Sequence, residues 1–228
     1  MKNPWKLISF FVGGLLVLSL VLNYFIVENF RGDVSELQAD VSGQDLIDTV
    51  QEPTVSIVPK DVSVDDDPFT GNQDAKVTLI VFDDFECPFC KEMHENLDEV
   101  RKKFSKEDLR IVYRDFPLAF HKNALPAAKA AGAAAKQRKF ILMSNEIFEN
   151  AENLSDDKYK EFAKSLDLDM DQFEKDFASD EVAEEIKKDV SDGESYGVSG
   201  TPAAFLNGEK IGGLVEIEKL EELINSKL

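Results

Sequence analysis

An uncharged run from Val77 to Phe82 reads as a buried strand, and from Cys87 onward the apolar spacing becomes helical, with Met93, Leu97, Val100 and Phe104 on one face. The chain's two cysteines, Cys87 and Cys90, lie at that junction, in Phe85-Glu86-Cys87-Pro88-Phe89-Cys90. A strand feeding a helix through so short a link calls for an α/β layer fold and sets both sulfurs at a helix N-terminus. Unsatisfied backbone N–H groups and the positive end of the helix dipole favour an anion there, so the Cys87 thiolate is stabilised over its thiol. Thiols in such settings titrate at about 3.5 to 7.5 rather than about 8.5. Each pKa unit favours the thiolate, and with it the reduced form, by about 1.4 kcal/mol. Pro88 suits the first helical turn, where no N–H is needed. Cys87 is expected to be the exposed attacking sulfur and Cys90, one turn in, the shielded resolving one.

Two other uses of the cysteines have to be weighed. A structural disulfide over so short a loop stabilises a fold by only about 2 kcal/mol. A zinc site could draw on Cys87, Cys90, His94 and His121, but one cysteine pair with scattered histidines is weak metal spacing. Haem attachment of the c type needs histidine directly after the second cysteine, and Lys91 stands there. A redox-active dithiol with no metal remains the leading reading.

Residues 7–27 carry no charge and are long enough to cross a bilayer as a helix. Lys2 and Lys6 precede this run, whereas Glu28, Asp33 and Glu36 follow it with only Arg31. Positive charge stays cytoplasmic, so the expected layout is a cytoplasmic tail (1–6), a retained transmembrane anchor (7–27) and an extracytoplasmic remainder. An oxidising compartment suits a chain whose only cysteines form one short motif. The formal charge of −19 suits a soluble extracytoplasmic domain and excludes the basic patch that nucleic acid requires. Residues 28–61 are acidic and polar and read as a stalk. Val34, Leu37 and Val41, then Leu46, Ile47 and Val50, have partial helical spacing, well short of a coiled coil.

The globular part is expected over 62–228. A second strand runs from Leu109 to Phe116, followed by a helical block over about 120–195. Asn123 is placed to cap the first of its helices, which carries Pro126 and an alanine-rich stretch, with further starts at Ser155 and Asp169. Phe162, Phe173 and Phe177 fall on core faces. Ala203 to Leu206 and Lys210-Ile211 flank Asn207-Gly208, a hairpin signal, and a helix over 216–226 closes the chain.

Asp66-Asp-Pro-Phe69, Asp84-Phe85-Glu86-Cys87-Pro88-Phe89-Cys90 and Gly200-Thr201-Pro202 together resemble the DsbA-like thioredoxin family over roughly residues 62–228. The resemblance implies a thioredoxin fold with an inserted all-helical subdomain, here preceded by a single membrane span. It also implies a cis Thr201–Pro202 bond beside Cys87, where the backbone of Thr201 can pair with an extended substrate near Pro88 and Phe89. The implied activity is protein thiol–disulfide exchange on reduced or unfolded exported proteins, without a bound cofactor, with reoxidation by a quinone-linked membrane partner. Members of this family commonly carry a buried acid six residues before the first active cysteine, where this chain has Val81. Proton handling at Cys90 then falls to water, Asp84 or Glu86. Phe89 brings no charge and Glu86 opposes a thiolate, so a mild oxidant is expected.

Overall fold

The computed structural model describes residues 62–228. The expected tail, membrane span and stalk lie outside the described residues, and among those described no helix is long and apolar enough to cross a membrane. Five strands and seven α-helices follow one another as β1 (Phe69–Thr70), β2 (Val77–Asp83), α1 (Pro88–Lys103), β3 (Leu109–Asp115), α2 (Ala124–Ala135), α3 (Phe140–Glu149), α4 (Asp156–Ser165), α5 (Met170–Phe177), α6 (Asp180–Ser195), β4 (Ala203–Leu206), β5 (Glu209–Gly212) and α7 (Ile217–Asn225). The sheet order is β1-β3-β2-β4-β5, with β2 and β3 parallel and every other neighbouring pair antiparallel. All five helices from α2 to α6 therefore fall between β3 and β4.

β2 is apolar from Leu79 to Phe82 because it is central and covered on both faces. Val77, Leu79 and Val81 enter a core shared with Met93, Leu97 and Val100 of α1, the alanines of α2, and Leu220 and Ile224 of α7. Ile80 and Phe82 point the other way, into a smaller core with Val112, Phe116, Val198 and Phe205. Phe82 meets Phe116 and Phe205 edge-on, with ring centroids 6.3 and 5.9 Å apart. The end of α6 closes this second core at Gly193, where a Cβ would stand 2.9 Å from Phe116 Cδ2 and 3.1 Å from Phe82 Cδ1. Only glycine lets the helix come so near.

Helix starts follow local chemistry. Ser155, Asp169 and Ser179 each accept a hydrogen bond from the backbone N–H three residues on, at Lys158, Gln172 and Val182. Asn207 and Gly208 both have positive φ, as a tight hairpin demands. Asn123 differs from the expected cap: its side chain makes no capping bond to α2 and turns instead to Glu86. β1 went unseen in the sequence because two residues cannot show a period of two. Its register is set by Phe69 opposite Val112.

One ionic knot ties three elements together. The Arg114 side chain is fully buried, its Nε 2.9 Å from Asp67 in the lead-in and its Nη2 2.6 and 2.8 Å from Asp189 and Asp192 of α6. Removing one partner from a buried ion cluster strands the rest in low dielectric. Arg114→Leu is therefore expected to lower unfolding free energy by about 3–5 kcal/mol, read from a urea melt. A loss under about 1 kcal/mol would show that the acids relax into water without it.

Candidate active site

Cys87 is the residue that caps α1, with extended backbone at φ −79° and ψ 120°, and Pro88 occupies the first turn. The Cys87 carbonyl accepts from the N–H of Cys90 at 3.0 Å and of Lys91 at 3.2 Å, so the helix begins as soon as the sulfur is passed. Both sulfurs are free thiols. Cys90 has no exposed surface, and Cys87 shows only 6 %, less than the openness expected of an attacking thiol. Its cover includes the segment before β4. The Thr201–Pro202 bond is cis, and Cys87 Sγ donates to the Thr201 carbonyl at 3.5 Å. Pro202 is buried, and the Thr201 hydroxyl has no hydrogen-bond partner.

The two thiols are driven apart in acidity. The hydrogen bond from the Cys90 thiol, helped by the backbone N–H groups of Cys90 and Phe89 and opposed by burial, brings Cys87 down from 9.0 to about 5. Burial, then the bond to Cys87, pushes Cys90 far up. Cys87 is the standing nucleophile; Cys90 reacts only if its proton is taken.

Asp84 and Glu86, candidates for that proton, are engaged elsewhere. The buried Asp84 carboxylate accepts from Glu86 N–H at 2.8 Å and Leu118 N–H at 2.7 Å, and pairs with His121 Nδ1 at 2.9 Å. Glu86 accepts from the backbone N–H of Asn123 at 2.5 Å and from its side-chain amide at 3.0 Å. Both acids thus stitch the cysteine segment to the 116–123 loop. The carboxyl whose charge acts most directly on Cys90 is that of Asp83. Burial raises Asp83 from 3.8 to about 7, against the lowering effect of the neighbouring Cys90 thiol. The sequence signal for it was period two: Asp83 lies two residues beyond Val81 on the same face of β2.

His94 and His121 are not gathered with the cysteines. His94 is buried in α1, its Nε2 2.6 Å from Asn145 Oδ1 and its ring 4.9 Å from that of Phe148, while His121 is held by Asp84. Among the described residues no group of three or more histidine, cysteine or acidic side chains is disposed to hold a metal ion. Phe89, 58 % exposed, stands between the cysteines, and Phe120, 77 % exposed, crowns the stitched loop beside His121. Phe120 carried no signal in the sequence, because only the Asp84 and Glu86 contacts bring its loop to the cysteines.

A dithiol at the start of α1, facing a cis proline on a mixed sheet interrupted by helices, defines a thioredoxin-fold redox domain. The Thioredoxin family model matches residues 63–226, and the chain belongs to that family. Its fold is similar to the thiol-disulfide exchange protein alpha-DsbA2 of Wolbachia pipientis, with TM-score 0.64 and 21 % identity over 70 % of this chain and 86 % of that one. It is likewise similar to the catalytic domain of Proteus mirabilis ScsC, with TM-score 0.62 and 20 % identity over 71 % and 88 %. Among curated relatives, a Na(+)/H(+) antiporter NhaA 1 of Mycolicibacterium vanbaalenii is 36 % identical over 160 residues, 69 % of this chain and 26 % of that protein. An NhaA of Herminiimonas arsenicoxydans is 32 % identical over 165 residues. The chain spans about a quarter of the length of these relatives.

The lowered Cys87 pKa gives stability to the reduced form that is fully present above pH 9 and lost as pH falls through about 5. At pH 7 about two of the four units count, roughly 2.7 kcal/mol, which makes the couple about 60 mV more oxidising than one of ordinary acidity. Thiolate absorbance at 240 nm is expected to titrate near pH 5. The stability of reduced over oxidised protein should rise from pH 5 to 9. A midpoint near 9 and a flat difference would refute the assignment.

Proposed function

We propose that this protein is a thiol–disulfide oxidoreductase that works outside the cytoplasm, held to the membrane by residues 7–27, and introduces disulfides into reduced exported proteins. The observation that carries the reading is the split in acidity between adjacent sulfurs, one lowered to about 5 and the other raised far above an ordinary thiol. In the oxidising direction a client thiolate attacks Sγ of Cys87, the Cys87–Cys90 bond breaks, and a mixed disulfide forms. Cys87 is the better-placed target because Cys90 is shut away and leaves as the inner sulfur. A second client thiolate then attacks the client sulfur of the mixed disulfide and expels Cys87 as its stable thiolate. Phe89 and Phe120 offer apolar surface beside the reaction, suited to an extended client that has not buried its own.

A quinone-linked membrane protein is the proposed electron acceptor, and a membrane anchor would keep the couple within its reach. Oxidation and reduction use the same chemistry, so the potential separates them. Equilibration with glutathione is expected to place the couple nearer about −120 mV than about −270 mV, the second value marking a reductase. Cys87→Ser should abolish both insulin reduction and oxidation of a reduced client, whereas Cys90→Ser should accumulate mixed disulfides through Cys87. Full turnover by both variants would remove the dithiol from the mechanism. For location, a membrane-impermeant maleimide is expected to label Cys87 of the full chain in intact, reduced cells. Labelling only after lysis would place the domain inside.

A further inference from the structure

Cys90 has no exposed surface, so its proton must cross the protein interior whenever the couple turns over. Asp83 adjoins the residue whose N–H reaches Cys90 Sγ at 3.4 Å, its charge acts on that thiol, and its Oδ1 is buried and has no hydrogen-bond partner. Across the parallel ladder Asp83 is paired with Asp115, the last residue of β3, so both acids end their strands on the same face. Both acids line a cavity of about 10 Å³, together with His94, Arg114, Phe140 and Ser144. That is room for one water with polar partners. Asp115 and Phe140 also line a second, much larger groove of about 570 Å³ that opens to solvent between the lead-in and helices α2, α3 and α6. Asp115 is half-buried and is the acid common to both spaces.

We propose that Asp115 is the outer station of a proton relay that runs from Cys90 through Asp83 and one bridging water to the groove between the lead-in and helices α2, α3 and α6. This rests on the thiol–disulfide reading above and adds a positioning residue to it. In the oxidising direction the bond from client sulfur to Cys87 forms as the Cys87–Cys90 bond breaks. Cys90 departs with the electron pair and takes the Asp83 proton. The resulting Asp83 carboxylate regains a proton from the bridging water, which is resupplied through Asp115 from solvent. In reverse, Asp83 takes the Cys90 proton, Cys90 attacks Cys87 of the mixed disulfide, the client leaves as thiolate, and the proton exits by the same path.

The charges around the pair favour a proton held there. Cys87 and Asp84 face Asp83 and raise it, beyond the effect of burial. Asp189 and Glu185 of α6, with Asp83 and Asp84, act on Asp115, and burial with these carboxylates raises it well above 3.8. Arg114, in the same strand, also lines the small cavity, but its guanidinium is paired with Asp67, Asp189 and Asp192. Two neighbouring acids whose protonated forms are both favoured can hold a proton and pass it on.

The test is the rate at which Cys90 resolves a glutathione–Cys87 mixed disulfide in the full chain, followed by rapid acid quench from pH 5.5 to 9.5. Asp115→Asn is expected to slow resolution about tenfold at pH 6–7, with the deficit closing above pH 9 as hydroxide takes the proton directly, and Asp115→Glu should restore most of the rate. Iodoacetamide capture of Cys87 in a Cys90→Ser background should be the same with and without Asp115→Asn. That substitution takes a carboxylate out of an acid cluster, so the melting temperature should not fall; if it does fall, the solvent isotope effect on the resolution step of Asp115→Glu decides, loss of the effect overturning the relay. A wild-type rate and pH profile in Asp115→Asn would overturn the relay while leaving thiol–disulfide exchange intact. Failure of the wild-type protein to exchange with glutathione would overturn both.

Discussion

The carboxylate of Asp84 is the contact on which the site's geometry depends. It sits in the turn between β2 and α1 with no exposed side-chain surface, and it gathers Glu86 N–H, Leu118 N–H and His121. A buried carboxylate costs several kcal/mol unless donors surround it, and here the donors are loop groups that would otherwise be unpaired. Satisfying that one charge fixes the turn that presents Cys87 and pins the 116–123 loop beside it. Glu86 repeats the arrangement one turn outward on Asn123, at the entry to α2. The helical insertion is thus joined to the redox site by two acids of the cysteine segment.

With that frame rigid, electrostatics does the remaining work. The same helix start lowers one thiol, and the same interior raises the other, because the first meets backbone donors and the second meets desolvation. A dithiol so divided has one sulfur ready to attack or leave at neutral pH and one that waits for a proton acceptor. Asp83 is the acid whose charge acts on that sulfur. It stands one pleat along β2 from Val81, where the resemblance had suggested an acid should be, and keeps the same face because strand side chains alternate. The acid has moved along the strand without leaving the core side.

Acid clustering elsewhere has the opposite sign for stability. Asp67, raised to about 8 by burial and Asp189, binds its proton more tightly folded than unfolded, so its contribution fades as pH climbs from about 4 to 8. Arg114 limits that cost by supplying one cation to three carboxylates. The reduced site gains stability over part of the same range in which this cluster loses it.

The sequence by itself determined the strand–helix junction with its two cysteines, the Asn207-Gly208 hairpin and the caps at Ser155 and Asp169, because each is a local matter of spacing, turn chemistry or backbone donors. It also marked Thr201-Pro202 as belonging with Cys87, although only by resemblance. What tertiary structure alone decided was the fate of the acids. Whether a carboxylate caps a loop, pairs with arginine or faces a thiol depends on which residues a distant segment brings to it, and Asp83, Asp84 and Glu86, though consecutive or nearly so, were sent to three different partners. The small exposure of Cys87 and the placement of Phe120 were decided the same way, by contacts across more than thirty positions that no local pattern encodes.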